Sequence, residues 1–332
     1  MKTVVTGGAG FIGSNLTRIL LDQGREVAIA DDFSRGSRCN LSDLAIKVDC
    51  HEVDLKDYSQ ALKATKGADT VFHLASRVGS LDILHGSEMI ELGALQNNLL
   101  IDINTFRACL QNGVKTIVYA SSVSVYPIHL QTRPNAVFSE DDCLIPDGTN
   151  EMPISNPEGG YGWAKFLGEI QLSWMQGVKV GIARVFPTYG ENGALGEHPH
   201  VVLSLIRKAI RYPNEDFIVW GDGKQSRSFL YVKDVCNGLI KLEGKASNPP
   251  LLVNLGGGET ISIGALAEKI ARISGKKLEI KYDTSKPVGP SSRASNIAKA
   301  KQALNWEPRV SLEEGLKRTY EWTLKRTWQC NG

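Results

Sequence analysis

The stretch VVTGGAGFIGSNL, residues 4–16, decides the fold of this chain, because it places three glycines between an apolar run and a helical pattern. Gly7 permits the tight turn that ends a strand, and Gly10 lets backbone N–H groups approach an anion closely. Gly13 removes the side chain that would hold the helix away from the strand. The spacing is informative because it stands at the first strand-to-helix turn. We therefore predict that this turn binds the pyrophosphate of a dinucleotide.

Short runs rich in Val and Ile alternate with amphipathic segments through the first half of the chain. Strands are predicted in KTVVTG, EVAIADD, KVDCHEVD, ADTVFHLAS, VKTIVYASS and VKVGIARV, and helices over residues 14–23, 59–66 and 98–112. Continuous apolar runs are typical of strands that are covered on both faces. Their alternation with helices predicts an α/β fold with a doubly wound parallel sheet.

The pattern changes after about Phe186, where shorter strands and helices predict a smaller α/β lobe. We divide the chain into residues 1–185, a dinucleotide-binding domain, and residues 186–332, a substrate lobe that interleaves with it. Two loops are predicted: residues 128–158 contain four prolines, and residues 286–295 are rich in Pro, Gly and Ser. A last helix is predicted over residues 312–325.

Composition excludes several classes of function. The 332 residues carry a net charge of +2, which does not favour nucleic acid or a membrane surface as partner. No run of 18 apolar residues is present, and the first strand begins at Lys2, which leaves no room for a signal peptide. The six cysteines are scattered, as expected for reduced thiols in a cytoplasmic protein. His198 and His200 lack further ligands, so no metal site is predicted.

The second predicted strand ends in Asp31-Asp32, at the distance from the glycines where a carboxylate binds the adenosine ribose. A carboxylate there repels a 2′-phosphate, which favours NAD over NADP, although Arg35 and Arg38 lie close enough to accommodate the phosphate. Asp54 follows the third strand. It either accepts a hydrogen bond from the adenine amino group or caps the next helix.

The motif YGWAK places Tyr161 and Lys165 four residues apart, on one face of a predicted helix. An ammonium group beside a phenol favours the phenolate and lowers a pKa that is normally about 10. The pair therefore predicts a general base that works near neutral pH on a substrate hydroxyl. Lys165 can also hold the nicotinamide ribose of the cofactor.

Several motifs together resemble one family, the extended short-chain dehydrogenase/reductases that act on nucleotide sugars. They are TGGAGFIG, DDFSRG, FHLAS, YASSVSVYP, YGWAK, ARVFPTYG and GDGKQSRSFLYVKDV, and they cover essentially the whole chain. The resemblance implies a Rossmann domain with bound NAD, a C-terminal lobe for the nucleotide diphosphate sugar, and a homodimer.

The resemblance also implies roles for individual residues. Ser122, Tyr161 and Lys165 resemble the catalytic residues of the family, and Arg227 and Arg293 resemble the arginines that hold the substrate diphosphate. Surface ion pairs are the alternative role for both arginines. Further substrate contacts are expected at Gly79 and Ser80. The expected cofactor contacts are Gly7, Gly10, Phe11, Ile12, Gly13, Asp31, Asp32, Asp54, Leu55, Leu74, Ala75, Asn98 and Lys165.

The residues after Ser122 bear on which reaction follows the first hydride transfer. Val123 and Ser124 stand where the 4,6-dehydratases of the family carry Asp-Glu, and the decarboxylases carry Glu at the Ser124 position. Local sequence is most similar to GDP-mannose 3,5-epimerases, which have a cysteine there. Serine is a far weaker acid/base than cysteine. His200 or His198 could supply a second acid/base group.

We therefore predict an NAD-dependent nucleotide-sugar epimerase that works through a transient 4-keto sugar, with C4 as the preferred centre. The alternatives are a 3,5-epimerase-like enzyme, a net C4 oxidoreductase, and a protein that senses the redox state of NAD(P) without turnover. Pro187 stands where the family usually has an asparagine that contacts the substrate, so substrate binding is expected to differ there.

Overall fold

The computed structural model describes residues 1–44, 48–78, 87–133, 135–145, 156–195, 199–286 and 288–329. The strands are β1 Lys2–Thr6, β2 Glu26–Asp31, β3 Asp49–Glu52, β4 Thr70–His73, β5 Thr116–Ser122, β6 Val137–Phe138, β7 Lys179–Val185, β8 Thr188–Tyr189, β9 Ile218–Trp220, β10 Ser226–Arg227, β11 Leu230–Tyr231, β12 Leu251–Leu255, β13 Ile261–Ser262, β14 Lys281–Asp283 and β15 Ser292–Ser295. The helices are α1 Phe11–Asp22, α2 Tyr58–Ala64, α3 Glu88–Gln111, α4 Ile128–Gln131, α5 Gly159–Trp174, α6 Val201–Arg211, α7 Val232–Glu243, α8 Ile263–Ser274, α9 Ala298–Leu304 and α10 Leu312–Gln329.

Seven strands form a central sheet in the order β3-β2-β1-β4-β5-β7-β12, and every neighbouring pair is parallel. The order reverses direction between β1 and β4, as in a doubly wound Rossmann sheet, so the predicted fold class is confirmed. β12 comes from the second half of the chain. The division into residues 1–185 and 186–332 stays a prediction.

The two faces of the sheet are buried in separate hydrophobic cores. Neighbouring residues on a strand point to opposite faces, so Val4 and Val5 enter different cores. Ile117 and Val118 on β5 divide in the same way. Helices α1 and α7 pack on one face, and α2, α3 and α5 cover the other. This arrangement explains why the strands read as unbroken apolar runs rather than as alternating patterns.

Several elements differ from the sequence prediction, among them helix α4 and strand β6, which lie inside the segment 128–158 that we predicted as a loop. Helix α3 begins at Glu88, well before the predicted start at residue 98. Strand β15 lies inside the segment 286–295 that we predicted as a loop. It pairs with β10 and β6 over two residues each, so its strand conformation depends on partners distant in sequence.

The described ranges are also informative about membrane-spanning helices, metal-binding groups and disulfide bonds. Within them, no helix combines the length and the hydropathy needed to cross a membrane. No group of three His, Cys, Asp or Glu side chains in the same ranges is arranged to hold a metal ion. Five cysteines there are free thiols, namely Cys39, Cys50, Cys109, Cys143 and Cys236.

Candidate active site

A cleft of about 1190 Å³ lies at the carboxyl ends of the central strands and is also lined by the second half of the chain. Parallel sheets bind ligands at this edge. The structure brings most predicted site residues to this one cleft. They are Gly7, Gly10, Phe11, Ile12, Gly13, Asp31, Asp32, Asp54, Leu55, Leu74, Ala75, Ser122, Ser124, Tyr161, Lys165, His200, Arg227 and Arg293. Gly79, Ser80 and His198 lie outside the described residues.

The glycine turn forms a cradle that has no room for side chains. Gly7 has φ +67°, and a Cβ there would lie 2.9 Å from the backbone of Ala75. A Cβ at Gly13 would overlap the carbonyl oxygen of Gly7. Helix α1 begins directly after Gly10, so its first N–H groups and the positive end of its dipole lie beside the cleft. The cradle fits the pyrophosphate of a dinucleotide.

Asp31 joins the glycine turn to the segment after β2. Its buried carboxylate accepts hydrogen bonds from the N–H of Ala9 at 2.9 Å and from the N–H of Phe33 at 2.8 Å, and burial raises its pKa. Asp32 is exposed and accepts from Ser34. Both carboxylates line the cleft, where the ribose contact was predicted. Arg38 pairs with Glu52 on the surface.

One of the two roles weighed for Asp54 is wrong. Helix α2 is capped by Asp57, whose carboxylate accepts from the N–H of Ser59 at 2.7 Å. Asp54 instead accepts from the N–H of Lys56 at 2.9 Å and lies at the cleft with 43% of its side chain exposed. The contact with an adenine amino group stays a prediction.

Asn98 organises the chain after β4 and is not among the side chains that line the cleft. Its Oδ1 accepts from the Ser76 hydroxyl at 2.9 Å and from the N–H of Arg77 at 2.7 Å. Its Nδ2 donates to the carbonyl oxygens of Arg77 and Ala94. The side chain is 1% exposed. Asn98 therefore supports Ser76 and Arg77, which line the cleft themselves.

Ser122, Tyr161 and Lys165 come together where β5 meets helix α5. The Tyr161 hydroxyl hydrogen-bonds with the side chains of Ser122 and Ser76. The Lys165 ammonium lies 4.6 Å from the centroid of the Tyr119 ring and is buried. These three predicted residues therefore share one site, with the polar ends of Ser122 and Tyr161 in direct contact.

The protein itself does not lower the pKa of Tyr161, contrary to our expectation. Burial raises the pKa to about 12, and the negative charge of Asp102 adds to this, whereas hydrogen bonding with Ser122 and Ser76 opposes it. The sequence argument considered the charge of Lys165 but could not weigh the removal of the phenol from water. Burial also lowers the pKa of Lys165, against the charges of Asp102 and Glu169.

Ser124 is buried against a carboxylate that sequence analysis missed. Its hydroxyl donates to Oε2 of Glu158 at 3.2 Å, and the N–H of Glu158 donates to the Ser124 carbonyl oxygen. The same Oε2 pairs with Arg293, and Glu158 is fully buried. A carboxylate is therefore present next to Ser124, supplied from a position 34 residues later. The available signal was a lone Glu directly before Gly159 in PEGGYGWAK.

Arg227 and Arg293 stand opposite each other on the parallel strands β10 and β15. Arg293 pairs with Glu158 and donates from Nε to Gln131 at 3.1 Å, and Arg227 donates to the carbonyl oxygen of Ser226. Burial and the nearby charge of Arg293 lower the pKa of Arg227 to about 10. Two cations side by side repel each other, so this pair favours an anion in the cleft. Among the described residues, neither arginine forms the surface ion pair weighed as an alternative.

His200 lies at the start of helix α6 and lines the cleft. Its side chain is exposed to the cleft. The surrounding protein atoms, which displace water, and then the charge of Arg35 lower its pKa. Pro187, the departure noted in the sequence, lines the cleft and accepts from the N–H of Leu230 at 2.9 Å.

Comparison with known proteins gives a consistent result. The family profile described as NAD dependent epimerase/dehydratase family matches residues 3–256. A GDP-mannose 3,5-epimerase of Arabidopsis thaliana is 30% identical over 326 residues, which cover 97% of this chain and 82% of the relative. A UDP-glucuronate 4-epimerase of Thermodesulfobacterium geofontis is 31% identical over 338 residues, which cover 96% of this chain and 95% of the relative.

Solved structures agree with the sequence relatives. The UDP-glucose 4-epimerase of Thermotoga maritima, solved with UDP-glucose, superimposes with a TM-score of 0.83 at 27% identity. The match covers 98% of this chain and all of that chain. The likeness therefore extends through the central sheet and the second half of the chain.

Proposed function

This chain belongs to the NAD dependent epimerase/dehydratase family, and from that premise we propose that it is a nucleotide-sugar epimerase that works through a transient 4-keto sugar. The observation that carries the proposal is the contact of Ser122 with Tyr161, next to Lys165, in a cleft that also holds the arginine pair. A proton-transfer group and an anion site are what a reaction at a sugar hydroxyl of a nucleotide diphosphate sugar requires.

The residues that would hold NAD are the glycine cradle, Asp31 and Asp32, and Lys165 at the nicotinamide ribose. The positive φ at Gly7 and the close packing of Gly13 against the Gly7 backbone support a turn that brings the N–H groups at the start of α1 to the cleft. When bound, NAD supplies the hydride acceptor and donor. The protein must therefore exclude water and move one proton at the C4 oxygen.

Tyr161 is the group that takes the proton of the C4 hydroxyl and later returns it. Ser122 hydrogen-bonds with the Tyr161 hydroxyl, so it can fix the direction of the phenol and contact the same substrate oxygen. Because burial raises the pKa of Tyr161 to about 12, the added positive charge of an oxidised nicotinamide ring is needed to favour the phenolate. Deprotonation is thereby coupled to the presence of the oxidised cofactor.

Arg227 and Arg293 support a nucleotide diphosphate as the anion. Planar guanidinium groups bind phosphate oxygens through two parallel hydrogen bonds. Arg293 is held in place by Glu158 and Gln131, which reduces the entropy lost when the ligand binds. The pair stands on strands β10 and β15, at the same cleft as Tyr161.

Epimerisation at C4 needs one proton-transfer group at the C4 oxygen and a sugar that turns within the cleft, and it needs no second acid/base. A second candidate is a 3,5-epimerase-like reaction, favoured by the hydrogen bond between Ser124 and Glu158. Arg293 pairs with the same Glu158 oxygen that Ser124 contacts, so this oxygen is already engaged, which supports the C4 reaction as the first choice.

Incubation with UDP-, GDP- and dTDP-sugars in deuterated water, followed by NMR of the sugar ring, tests the two candidates. Inversion at C4 without deuterium incorporation is expected. Deuterium at C3 or C5 would replace the proposal by the second candidate. A stable keto sugar with equimolar NADH would show net oxidation instead.

We also infer a homodimer formed through helices α3 and α5. These helices pack side by side and carry exposed apolar side chains, including Leu92 at 43%, Leu100 at 47% and Trp174 at 67% exposure. Analytical ultracentrifugation is expected to show a dimer that Leu100→Glu dissociates. The control Tyr282→Glu, at an exposed side chain on β14, should leave the dimer intact; a monomeric wild type would contradict the inference.

A further inference from the structure

A buried cluster of polar residues lies behind Lys165, outside the groups that contact substrate or cofactor in the proposed reaction. It consists of His73 on β4, Asp102 on α3 and Tyr119 on β5, none of them more than 1% exposed. The Tyr119 hydroxyl donates to Oδ2 of Asp102 at 2.6 Å, and Nε2 of His73 lies 2.9 Å from Oδ1. Both carboxylate oxygens are thus engaged by neighbouring side chains.

The hydrogen bonds of Thr6 determine which nitrogen of His73 carries the proton. The N–H groups of Leu74 and Ala75 both donate to the Thr6 hydroxyl oxygen at 3.2 Å, so the hydroxyl proton is free to donate to Nδ1 of His73 at 2.7 Å. Nδ1 then accepts, and Nε2–H donates to Asp102. Burial lowers the pKa of His73, which agrees with a neutral ring.

The cluster therefore carries one negative charge. Tyr119 is neutral because burial, and then the nearby charge of Asp102, raise its pKa well above the usual value. With a neutral His73 as well, the charge belongs to the Asp102 carboxylate, whose hydrogen bonds are donated by neutral partners. A charge removed from water in this way requires a nearby cation.

Lys165 is the cation that matches this charge. The other carboxylate near Lys165 is Glu169, which already binds Arg184 through two hydrogen bonds, at 3.0 and 2.7 Å. Glu169 and Arg184 therefore neutralise each other. Within the part of the chain that the structure describes, the titratable and charged groups around Lys165 are His73, Asp102, Tyr119, Tyr161, Glu169 and Arg184. Among these groups, Asp102 lacks a cationic partner other than Lys165.

Gly168 allows helix α5 to pack closely against Tyr119 and Asp102. It lies on α5 one turn after Lys165, and a Cβ there would meet the Tyr119 hydroxyl and lie 2.8 Å from Oδ2 of Asp102. A side chain would thus separate the helix from the cluster. The lysine, the ring of Tyr119 and the carboxylate are held as one unit.

We propose that Asp102 is the buried counter-charge that keeps Lys165 protonated, and that it acts through Lys165 as a positioning residue for the reaction of Tyr161. This inference rests on the proposed function for its role in catalysis. A buried ammonium tends to lose its proton, and a positively charged nicotinamide ring in the same cleft would increase that tendency. Without Lys165 as a cation, a phenolate at Tyr161 would lose a positive charge that lies one helical turn away on α5.

The first test measures the charge of Lys165 directly, without substrate or cofactor. The protein is labelled with [13Cε]lysine, the Lys165 signal is assigned by its loss in Lys165→Met, and its chemical shift is followed against pH. In Asp102→Asn, which keeps the shape of the side chain, the midpoint should fall relative to wild type. In Tyr119→Phe, which keeps the ring and the charge on Asp102, the midpoint should fall less.

Equal midpoints in wild type and Asp102→Asn would overturn the proposal. Should Asp102→Asn fail to fold, Asp102→Thr is the second neutral variant for the same titration. This measurement does not depend on turnover, so it separates the proposal from the proposed function, which is decided by whether the wild type converts a nucleotide sugar.

The second test uses turnover. The alkaline decline of kcat should move to lower pH in Asp102→Asn, so that activity falls more at about pH 9 than at about pH 7. A purely structural role would reduce activity by the same factor at every pH, and that result would contradict the positioning role.

Discussion

At the scale of single residues, Tyr161 decides whether the site can do proton transfer. Its hydroxyl hydrogen-bonds with Ser122 and lies in the cleft, and burial raises its pKa to about 12. Tyr161→Phe removes only the hydroxyl, so cofactor affinity should stay within about twofold. Turnover should fall by at least about a hundredfold, because a positioned acid/base group contributes about that much or more. Steady-state kinetics and calorimetric titration with NAD measure the two effects.

The control for this variant is Tyr126→Phe, a buried tyrosine whose hydroxyl donates to Asn254 and which does not line the cleft. It should lose stability while kcat falls much less than in Tyr161→Phe. Turnover retained by Tyr161→Phe would remove Tyr161 from the role of base and would favour a direct role of Ser122.

Much of the site could be predicted at the residue scale because several of its residues lie close together in the sequence. Tyr161 and Lys165 are one helical turn apart, and Gly7 and Gly13 belong to one turn. Glu158 could not be predicted as a partner of Ser124, because the contact joins residues from different elements. The predicted lowering of the Tyr161 pKa was wrong for a similar reason. Burial depends on the packing of the whole site and cannot be inferred from a local motif.

At the scale of elements, the packing of α1 on β1 depends on Gly13. A Cβ at this position would overlap the carbonyl oxygen of Gly7, so Gly13→Ala should displace the helix and the N–H groups at its start. We expect a loss of unfolding free energy of about 1–3 kcal/mol, as for other overpacked sites, and loss of NAD binding. Urea denaturation and NAD titration measure these effects.

Gly24→Ala is the matched control for Gly13→Ala. Gly24 has φ +75°, and a Cβ there would meet no atom within 4 Å. The substitution should cost about 1 kcal/mol through backbone strain alone and leave NAD binding unchanged. Equal NAD affinity in both variants would contradict the role assigned to the cradle.

The strands β10 and β15 and helix α5 meet at the two arginines, which should respond in opposite ways to substitution. Arg293→Met removes the guanidinium paired with buried Glu158 and should lower the unfolding free energy by about 3–5 kcal/mol. Arg227→Met removes a charge that faces Arg293 across the strand pair, so stability should be kept or increased. Both variants should weaken binding of UDP or GDP by at least about tenfold, since each loses a phosphate contact.

Calorimetric titration and urea denaturation distinguish these outcomes. Destabilisation by Arg227→Met together with unchanged nucleotide binding would mean that this arginine is structural. Unchanged nucleotide affinity in both variants would place the diphosphate elsewhere in the cleft.

The prediction of helices and strands succeeded where the local sequence determines the conformation. It failed where the conformation depends on pairing with segments distant in sequence. Strands of the central sheet read as apolar runs because both of their faces are buried. β15 has no such run, since SRAS is polar, and it is a strand only because β10 and β6 pair with it. The early part of α3, from Glu88, carries exposed Met89 and Ile90, which break the amphipathic pattern that predicts a surface helix.

At the scale of the whole molecule, buried tyrosines and cysteines couple stability to alkaline pH. Burial raises the pKa of Tyr161, Cys109 and Cys143 to about 12 in each case, and it raises the pKa of further groups, namely Tyr119, Tyr126 and Cys236. In the unfolded chain these groups ionise near their ordinary values, about 8.5 for cysteine and 10 for tyrosine. Above those values the unfolded chain binds fewer protons than the folded one, so the free energy of unfolding must fall as pH rises.

Buried lysines act in the opposite direction over a limited range. The pKa values of Lys165 and Lys208 are lowered by burial, so the unfolded chain binds more protons than the folded one until lysine titrates at about 10.4. Above that pH their contribution stays constant while the tyrosines and cysteines continue to favour unfolding. Each buried tyrosine or cysteine lowers the free energy of unfolding by up to about 1.4 kcal/mol per pH unit. Urea denaturation should therefore show that this free energy falls by several kcal/mol between about pH 9 and pH 11. Tyr126→Phe removes one of these groups, so the free energy of unfolding should fall less steeply with pH in this variant. Tyr282→Phe, at a side chain that is 47% exposed, should leave the pH dependence unchanged. A free energy of unfolding that stays constant over this range would show that these hydroxyls and thiols ionise in the folded protein at the same pH as in the unfolded chain.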